Sequence, residues 1–218
     1  EFGVENGAAG VLRPLAPFAP GEARFLLEPL LGRSLPAAPV TVASLAAVLR
    51  DHYEGTPFAA PPGVSPHNGP VRTICVPRTN SASIFQLRAS QPAPIGIVWW
   101  LCLWQPCSNP FVPLYPWAGP PPAAYALDPG DAAAPAYRLF GDRARRIDAD
   151  YEKRIAAEGR RLRDLEEATH ALQPAVEEAA RAAWAANPER ARELLTRFSW
   201  GTIARAMEDG AAAPSDAR

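Results

Sequence analysis

Proline is the residue type that most constrains how this chain folds. There are 26 prolines, and most of them lie between positions 57 and 122. Proline fixes φ and lacks a backbone N–H, so it breaks helix interiors and interrupts sheet ladders. Residues 57–122 are therefore predicted to form short strands and ordered loops rather than long helices.

Three short stretches within this region have the composition of strands. They are rich in β-branched, aromatic and other apolar residues, and they cover residues 71–76, 83–88 and 96–104. Short links between consecutive strands favour an antiparallel meander. The third stretch is apolar on both faces, which predicts that both are covered.

The composition changes near position 136, after which Ala, Arg, Glu and Leu dominate. Apolar residues recur at helical spacing, which predicts one amphipathic helix that ends at Pro174. Another helix is expected over residues 176–186, and a third after the capping sequence Asn187-Pro188-Glu189. Ser199 is a candidate cap for a last short helix. Strands followed by helices predict an α+β protein, with a strand-rich part at 1–135, a helical segment at 136–209 and a frayed tail at 210–218.

Bulk properties argue against several function classes. The formal net charge is -1, so no basic field is available to bind nucleic acid or an anionic membrane. The longest strongly apolar run, residues 95–104, is too short to span a bilayer. Three cysteines without paired spacing do not indicate a disulfide framework. A cytoplasmic location is the default expectation, although a signal on a preceding segment stays open.

Four motifs in order resemble one family of enzymes. The quoted stretches are Asp51-His52-Tyr53-Glu54-Gly55-Thr56-Pro57-Phe58, Arg72-Thr73-Ile74-Cys75 with Arg78-Thr79-Asn80-Ser81-Ala82-Ser83, Trp99-Trp100 with Pro106-Cys107-Ser108-Asn109-Pro110-Phe111-Val112-Pro113-Leu114-Tyr115, and Ala136-Tyr137-Arg138-Leu139-Phe140 with Leu194-Leu195-Thr196-Arg197-Phe198. Together they resemble the dipeptidase–secernin family of N-terminal-nucleophile cysteine peptidases over residues 40–207.

The resemblance implies two stacked antiparallel sheets between helical layers. It also implies an N-terminal cysteine that attacks the amide carbonyl of a dipeptide, with its own α-amine as the base. This chain begins with Glu1, and none of its cysteines is near the N-terminus. The expectation is therefore that the chain is the C-terminal portion of such an enzyme, with no catalytic residue of its own, and that the N-terminal segment of the parent is its partner.

The candidate substrate-contacting residues are Arg72, Arg78, Asn80 and Ser83. An arginine can bind a peptide carboxylate through two parallel hydrogen bonds, and Asn or Ser can donate to a substrate or an oxyanion. Surface ion pairs for the arginines, and a simple turn at Asn80-Ser81, are the structural alternatives.

The cysteines and histidines support weaker hypotheses. Cys75 and Cys102 are interpreted as buried apolar residues in strands, and Cys107 as a more accessible loop residue. Cys107 with His52 or His67 as base is a minor candidate nucleophile, while His52 is favoured as a residue of a helix C-terminus. A zinc site is not predicted, because no paired Cys or His spacing occurs. No cofactor is expected.

Two alternatives to the dipeptidase remain at this stage. One is a secernin-type interaction protein that uses the helix over residues 137–172 to bind a partner. The other is an amidase of the same fold that acts on a different amide. Homo-oligomerisation also stays open. A peptidase fragment predicts an uncovered sheet edge or sheet face, whereas an interaction protein predicts an exposed apolar stripe on the helix.

Overall fold

Proline-rich loops alternate with three short strands, and three helices follow them. The computed structural model describes residues 40–69, 71–126 and 134–212. The α+β class is confirmed. The elements are α1 Val42–Leu49, β1 Ser81–Leu87, α2 Ala93–Gly96, β2 Ile97–Leu103, β3 Val112–Leu114, α3 Pro135–Asp148, α4 Tyr151–Trp184 and α5 Pro188–Ala211, with short 3-10 turns at Pro66–Asn68 and Ala123–Tyr125. All of them lie in the unit Val40–Arg218. Most of the predicted tail, residues 213–218, is outside the described residues.

The sheet is antiparallel in the order β1-β2-β3. Two of the three predicted strands are confirmed as β1 and β2, but residues 71–76 do not form a strand. In that segment the Cys75 N–H donates to the Asp51 carbonyl at 3.2 Å, and the Thr73 hydroxyl donates to the Cys75 carbonyl. The backbone is thus bonded to a loop instead of a neighbouring strand. The third strand is β3, where Pro113 is tolerated because β3 lies at the sheet edge.

The two faces of the sheet have different surroundings. Ile84, Val98 and Trp100 lie on one face and join a core with residues of α1, α4 and α5. The opposite face carries Phe85 and Leu87, whose exposed fractions are 63% and 72%. On β2 itself, Val98, Trp100 and Cys102 are buried on one face, whereas on the other face Leu101 is buried and Trp99 is half-buried. The expectation that both faces of this strand are covered is therefore met for one face and only partly for the other.

The helical half differs from the sequence prediction in its boundaries. The single helix expected to end at Pro174 is two helices, because α3 ends at Asp148 and α4 continues through Pro174 to Trp184. A proline inside a helix costs roughly 3 kcal/mol. Interactions on both sides of it offset that cost: Gln173 and Glu177 both hydrogen-bond to the Tyr115 hydroxyl.

The last helix is capped as predicted at its start, where Asn187 accepts from the Arg190 N–H at 3.0 Å. The predicted cap at Ser199 is wrong. Ser199 is buried inside α5, which runs without a break to Ala211.

Three buried carboxylates on α4 are paired with arginines from other parts of the chain. Arg50 makes two hydrogen bonds to Glu166, at 2.6 and 2.9 Å, and Arg88 makes two to Glu177, both at 2.6 Å. Arg143 of α3 is completely buried and bonds Glu158 of α4 at 2.9 Å. Arg143 also bonds Asp209 of α5 at 2.6 Å, so that it links the three long helices.

We expect Arg143→Ala to destabilise the fold by about 3–5 kcal/mol, because it leaves Glu158 buried without its cation. Arg145→Ala is the matched control. Arg145 is on the same helix but is exposed, and its pair with Asp142 is worth less than about 1 kcal/mol. Urea unfolding followed by circular dichroism measures both. Equal stability of the two variants would contradict the assignment of Arg143 as a buried helix link.

Candidate functional site

Four segments that are distant in sequence bring two histidines and two cysteines together. His52 follows α1, His67 lies in the Pro66–Asn68 turn, Cys75 lies before β1, and Cys107 lies in the loop between β2 and β3. One ligand atom from each residue lies within 4.8 Å of every other. We call this group the Cys–His cluster.

A left-handed residue positions the first histidine. Tyr53 has φ of 65°, a conformation that costs a non-glycine residue roughly 1–2 kcal/mol. It turns the chain so that Glu54 folds back onto His52. The Glu54 carboxylate accepts from the His52 backbone N–H at 3.0 Å and contacts His52 Nδ1 at 2.9 Å. The left-handed turn at Tyr53 thus lets Glu54 hold the His52 ring through these two contacts.

A second carboxylate orients the other histidine. His67 Nδ1 lies 2.6 Å from Oδ1 of Asp148, the last residue of α3. Asp148 also accepts from the Gln105 amide and the Ser65 hydroxyl, both at 3.3 Å. Asp148 is therefore held from three sides, and it fixes the tautomer and the ring plane of His67.

The free ring nitrogens point toward each other and toward sulfur. His52 Nε2 and His67 Nε2 are 3.0 Å apart, and Cys107 Sγ is 3.6 Å from His67 Nε2. The Tyr151 ring, at the start of α4, packs edge-on against both imidazoles. The centre of the cluster thus contains nitrogen and sulfur atoms from four side chains.

The cluster is buried. The His52 and His67 side chains are each 1% exposed, and Cys75 and Cys107 are 1% and 7% exposed. The expectation that Cys107 is accessible is therefore wrong, because its loop is covered by the segments that carry the histidines. Cys75 is buried as expected, but it lies in a polar cluster and not in an apolar strand. Cys102 is buried in β2 as predicted.

Burial and hydrogen bonding have opposing effects on the pKa values of several side chains in the cluster. A hydrogen bond from Cys107 and the two histidines holds the pKa of Cys75 far below its usual range, against the effect of burial. The hydrogen bond to Cys75, together with burial, raises the pKa of the Cys107 thiol well above its usual value. Burial lowers the pKa of His52, but Cys75 and Glu54 outweigh it and raise it to about 9. Asp148 and Cys75 raise the pKa of His67 in the same way.

This arrangement has two chemical capacities. A thiolate beside imidazoles is a nucleophile, and two thiolates with two imidazoles are a metal-ligand set. Nucleophilic attack requires access to the substrate, which the burial of both cysteines opposes. The helix-terminus interpretation of His52 does not describe it, because the ring contacts Glu54 and His67 beyond the end of α1.

The candidate substrate-contacting residues lie outside the cluster, on exposed surface. Arg72 and Arg78 flank Cys75 in sequence and are both exposed. Asn80 accepts from the Tyr137 hydroxyl at 3.0 Å, and Ser83 accepts from Trp99 Nε1 at 3.0 Å. Ser83 lies on the same face of the sheet as Phe85.

Comparison with known proteins identifies the family of this chain. A sequence profile of peptidase family C69 matches residues 29–155, which is more than half of the chain. The chain therefore belongs to peptidase family C69. The resemblance to the dipeptidase–secernin family is confirmed, and with it a hydrolase class whose members act on peptides. No curated protein matches the chain in a sequence comparison.

Among the described residues, no helix is both long enough and apolar enough to cross a bilayer.

One close contact supports the loop that carries Cys107. Trp104 directly follows β2 with φ of 64°, and its indole N–H donates to the Tyr137 carbonyl at 2.8 Å. Its ring lies against Gly141 of α3, where an added Cβ would lie 2.6 Å from the indole. The glycine thus lets the chain turn at Trp104 toward Cys107.

We expect Gly141→Ala to destabilise the chain by about 1–3 kcal/mol through this clash. Gly201→Ala is the control, since Gly201 is also helical but has no atom within 4 Å of an added Cβ. It should stabilise the chain by about 0.5–1 kcal/mol through helix propensity. Urea midpoints measure the difference. Stabilisation by both alanines would show that the Trp104 packing does not constrain the fold.

Proposed function

We propose that this chain is the C-terminal portion of a cysteine dipeptidase, and that the nucleophilic N-terminal cysteine lies outside it. The observation that carries the proposal is an apolar face of the sheet that the described residues leave largely exposed, in a chain of peptidase family C69. Phe85 and Leu87 are largely exposed there, and Phe85 stacks on Trp99 of the neighbouring strand.

An uncovered apolar sheet face is uncommon on a monomer and marks a place where another element packs. The resemblance to N-terminal-nucleophile hydrolases implies a second antiparallel sheet stacked on the first. Face-to-face sheets pack about 10 Å apart through interdigitating side chains. The face with Phe85, Leu87 and Trp99 has the apolar side chains that such packing requires.

Two of the candidate substrate-contacting residues, Asn80 and Ser83, lie at that face. Ser83 is on it, and Asn80 directly precedes β1. We assign Arg72 and Arg78 to the recognition of the dipeptide carboxylate, because an exposed guanidinium can form a planar pair with a carboxylate. Asn80 and Ser83 are assigned to hydrogen bonds with the peptide or the oxyanion.

The interaction-protein alternative has less support. It requires an exposed apolar stripe on the helices over residues 137–172. In the described part of that range, Leu172 is the large apolar side chain with high exposure, at 51%. The buried side of α4 is instead occupied by the core and by the paired glutamates. The apolar surface available for packing is thus better developed on the sheet.

The direct test is dipeptide hydrolysis by the full-length parent and by its variant with the N-terminal cysteine changed to alanine. We expect turnover in the parent and a loss of at least about 10³-fold in the variant. A panel of dipeptides, tripeptides and acyl amino acids distinguishes a dipeptidase from another amidase. Cys102→Ala is the control, since Cys102 is buried in β2. Absence of turnover on the whole panel would overturn the proposal.

Carboxylate recognition has its own test in the same parent. Each free dipeptide is compared with its C-terminal amide, which lacks the negative charge. We expect the parent to prefer the free acid and Arg72→Ala or Arg78→Ala to lose about 1.5–3 kcal/mol of that preference, chiefly through KM. Arg145→Ala, which removes another exposed arginine, is the control. An unchanged acid-to-amide ratio in both variants would remove these arginines from the site.

A further inference from the structure

The side chains of the Cys–His cluster direct two ring nitrogens and two sulfurs toward one centre. Both Nδ1 atoms face carboxylates, Glu54 at 2.9 Å and Asp148 at 2.6 Å, and a carboxylate selects the Nδ1–H tautomer. In that tautomer each Nε2 is an acceptor. The two Nε2 atoms are nevertheless 3.0 Å apart, with Cys107 Sγ 3.6 Å from one of them. Two neutral Nε2 atoms this close would repel each other, so the pair needs a positive charge between them, which a proton on one ring or a metal ion can supply.

We propose that His52, His67, Cys75 and Cys107 bind one zinc ion in a closed, tetrahedral structural site. Zinc sites of this kind have two imidazole nitrogens and two thiolate sulfurs as ligands. The proposal does not depend on the dipeptidase assignment, because it rests on the cluster alone.

The distances fit this geometry. With Zn–N near 2.0–2.1 Å and Zn–S near 2.3 Å, a tetrahedron places two nitrogens about 3.3 Å apart and a nitrogen and a sulfur about 3.6 Å apart. The Nε2–Nε2 distance of 3.0 Å and the Sγ–Nε2 distance of 3.6 Å are close to these values. All four ligand atoms lie within 4.8 Å of one another, so that small side-chain shifts complete the coordination.

The surroundings are those of a metal site and not of a solvent cavity. Ligating histidines usually donate their other N–H to a carboxylate, as His52 and His67 are placed to do here with Glu54 and Asp148. On binding, each thiol loses its proton to solvent, and the zinc ion with two thiolates and two neutral imidazoles has no net charge. A neutral centre is compatible with side chains that are almost completely buried.

Burial and ligand number indicate a structural role. A catalytic zinc ion keeps one position open for water or substrate, whereas here four protein ligands converge in a closed space. The site would tie together the segment after α1, the Pro66–Asn68 turn, the segment before β1 and the β2–β3 loop. These segments contain few strand hydrogen bonds of their own, so a metal link would contribute to their order.

The first experiment measures metal content in the chain purified without chelators under reducing conditions. We expect about one zinc ion per chain in the unmodified protein and less than about a tenth of that in Cys75→Ala and Cys107→Ala. Cys102→Ala is the matched control, because it removes a buried cysteine outside the cluster. It should retain the zinc. Equal metal content in all three variants would overturn the proposal.

The second experiment uses the unmodified chain, so that it does not depend on the folding of a variant. Zinc is removed with a chelator and replaced by Co²⁺, whose absorption spectrum reports tetrahedral geometry and thiolate ligands. Separately, X-ray absorption at the zinc edge of the untreated, zinc-containing chain gives the ligand set, which we expect to be two nitrogens and two sulfurs. A metal-free chain that yields no thiolate–cobalt absorption, or one with a Cys75–Cys107 disulfide, would refute the site.

A third measurement tests the orienting carboxylate. Asp148→Asn should weaken zinc affinity by about 10–100-fold in competition with a chromophoric chelator, because His67 loses its charged partner. Asp142→Asn on the same helix is the control, since Asp142 is exposed and pairs with Arg145. Unchanged affinity in Asp148→Asn would show that the carboxylate does not act through a bound metal.

Discussion

The pairing of buried glutamates on α4 with arginines from elsewhere is the interaction on which the arrangement of this molecule most depends. Glu158, Glu166 and Glu177 lie along one long helix and are each nearly buried. A buried carboxylate without a cation costs several kcal/mol, so each one effectively requires its arginine to be in place. The pairs therefore specify which segments may lie against α4, in addition to whatever net stability they contribute.

One of these pairs also positions the Cys–His cluster. Arg50 binds Glu166 through its terminal nitrogens, and its Nε–H donates to the Pro106 carbonyl at 2.7 Å. Arg50 lies two residues before His52, and Pro106 directly precedes Cys107. A single guanidinium thus fixes the chain on both sides of the cluster relative to α4. Local strain at Tyr53 and Trp104 is tolerated because these long-range contacts determine where the loops lie.

The sequence predicted the parts of this structure that depend on local pattern. The strands β1 and β2, the Asn187 cap and the family follow from alternation, capping chemistry and ordered motifs. The cluster could not be predicted in this way, because its four residues lie in four separate loops between positions 52 and 107 and have no regular spacing. The same limit explains the error at Pro174. The low helix propensity of proline predicts a helix end at Pro174. The helix continues because Tyr115, from a distant loop, hydrogen-bonds to Gln173 and Glu177 on either side of the proline. The His170 ring of α4 likewise packs at 4.5 Å from the Trp100 ring, a contact between distant segments that local pattern does not predict.

The cluster and the proposed substrate-contacting residues are connected through the backbone. Cys75 is buried in the cluster, while Arg72 and Arg78, three residues to either side, are exposed. The segment around Cys75 is anchored at this buried side chain and pairs with no strand among the described residues, so few other contacts fix the direction of its backbone. Anchoring Cys75 through a metal would restrict the positions of both guanidinium groups and lower the entropy cost of ordering them around a ligand. The buried metal site would then pre-organise the exposed binding surface, although none of the metal ligands lies on that surface.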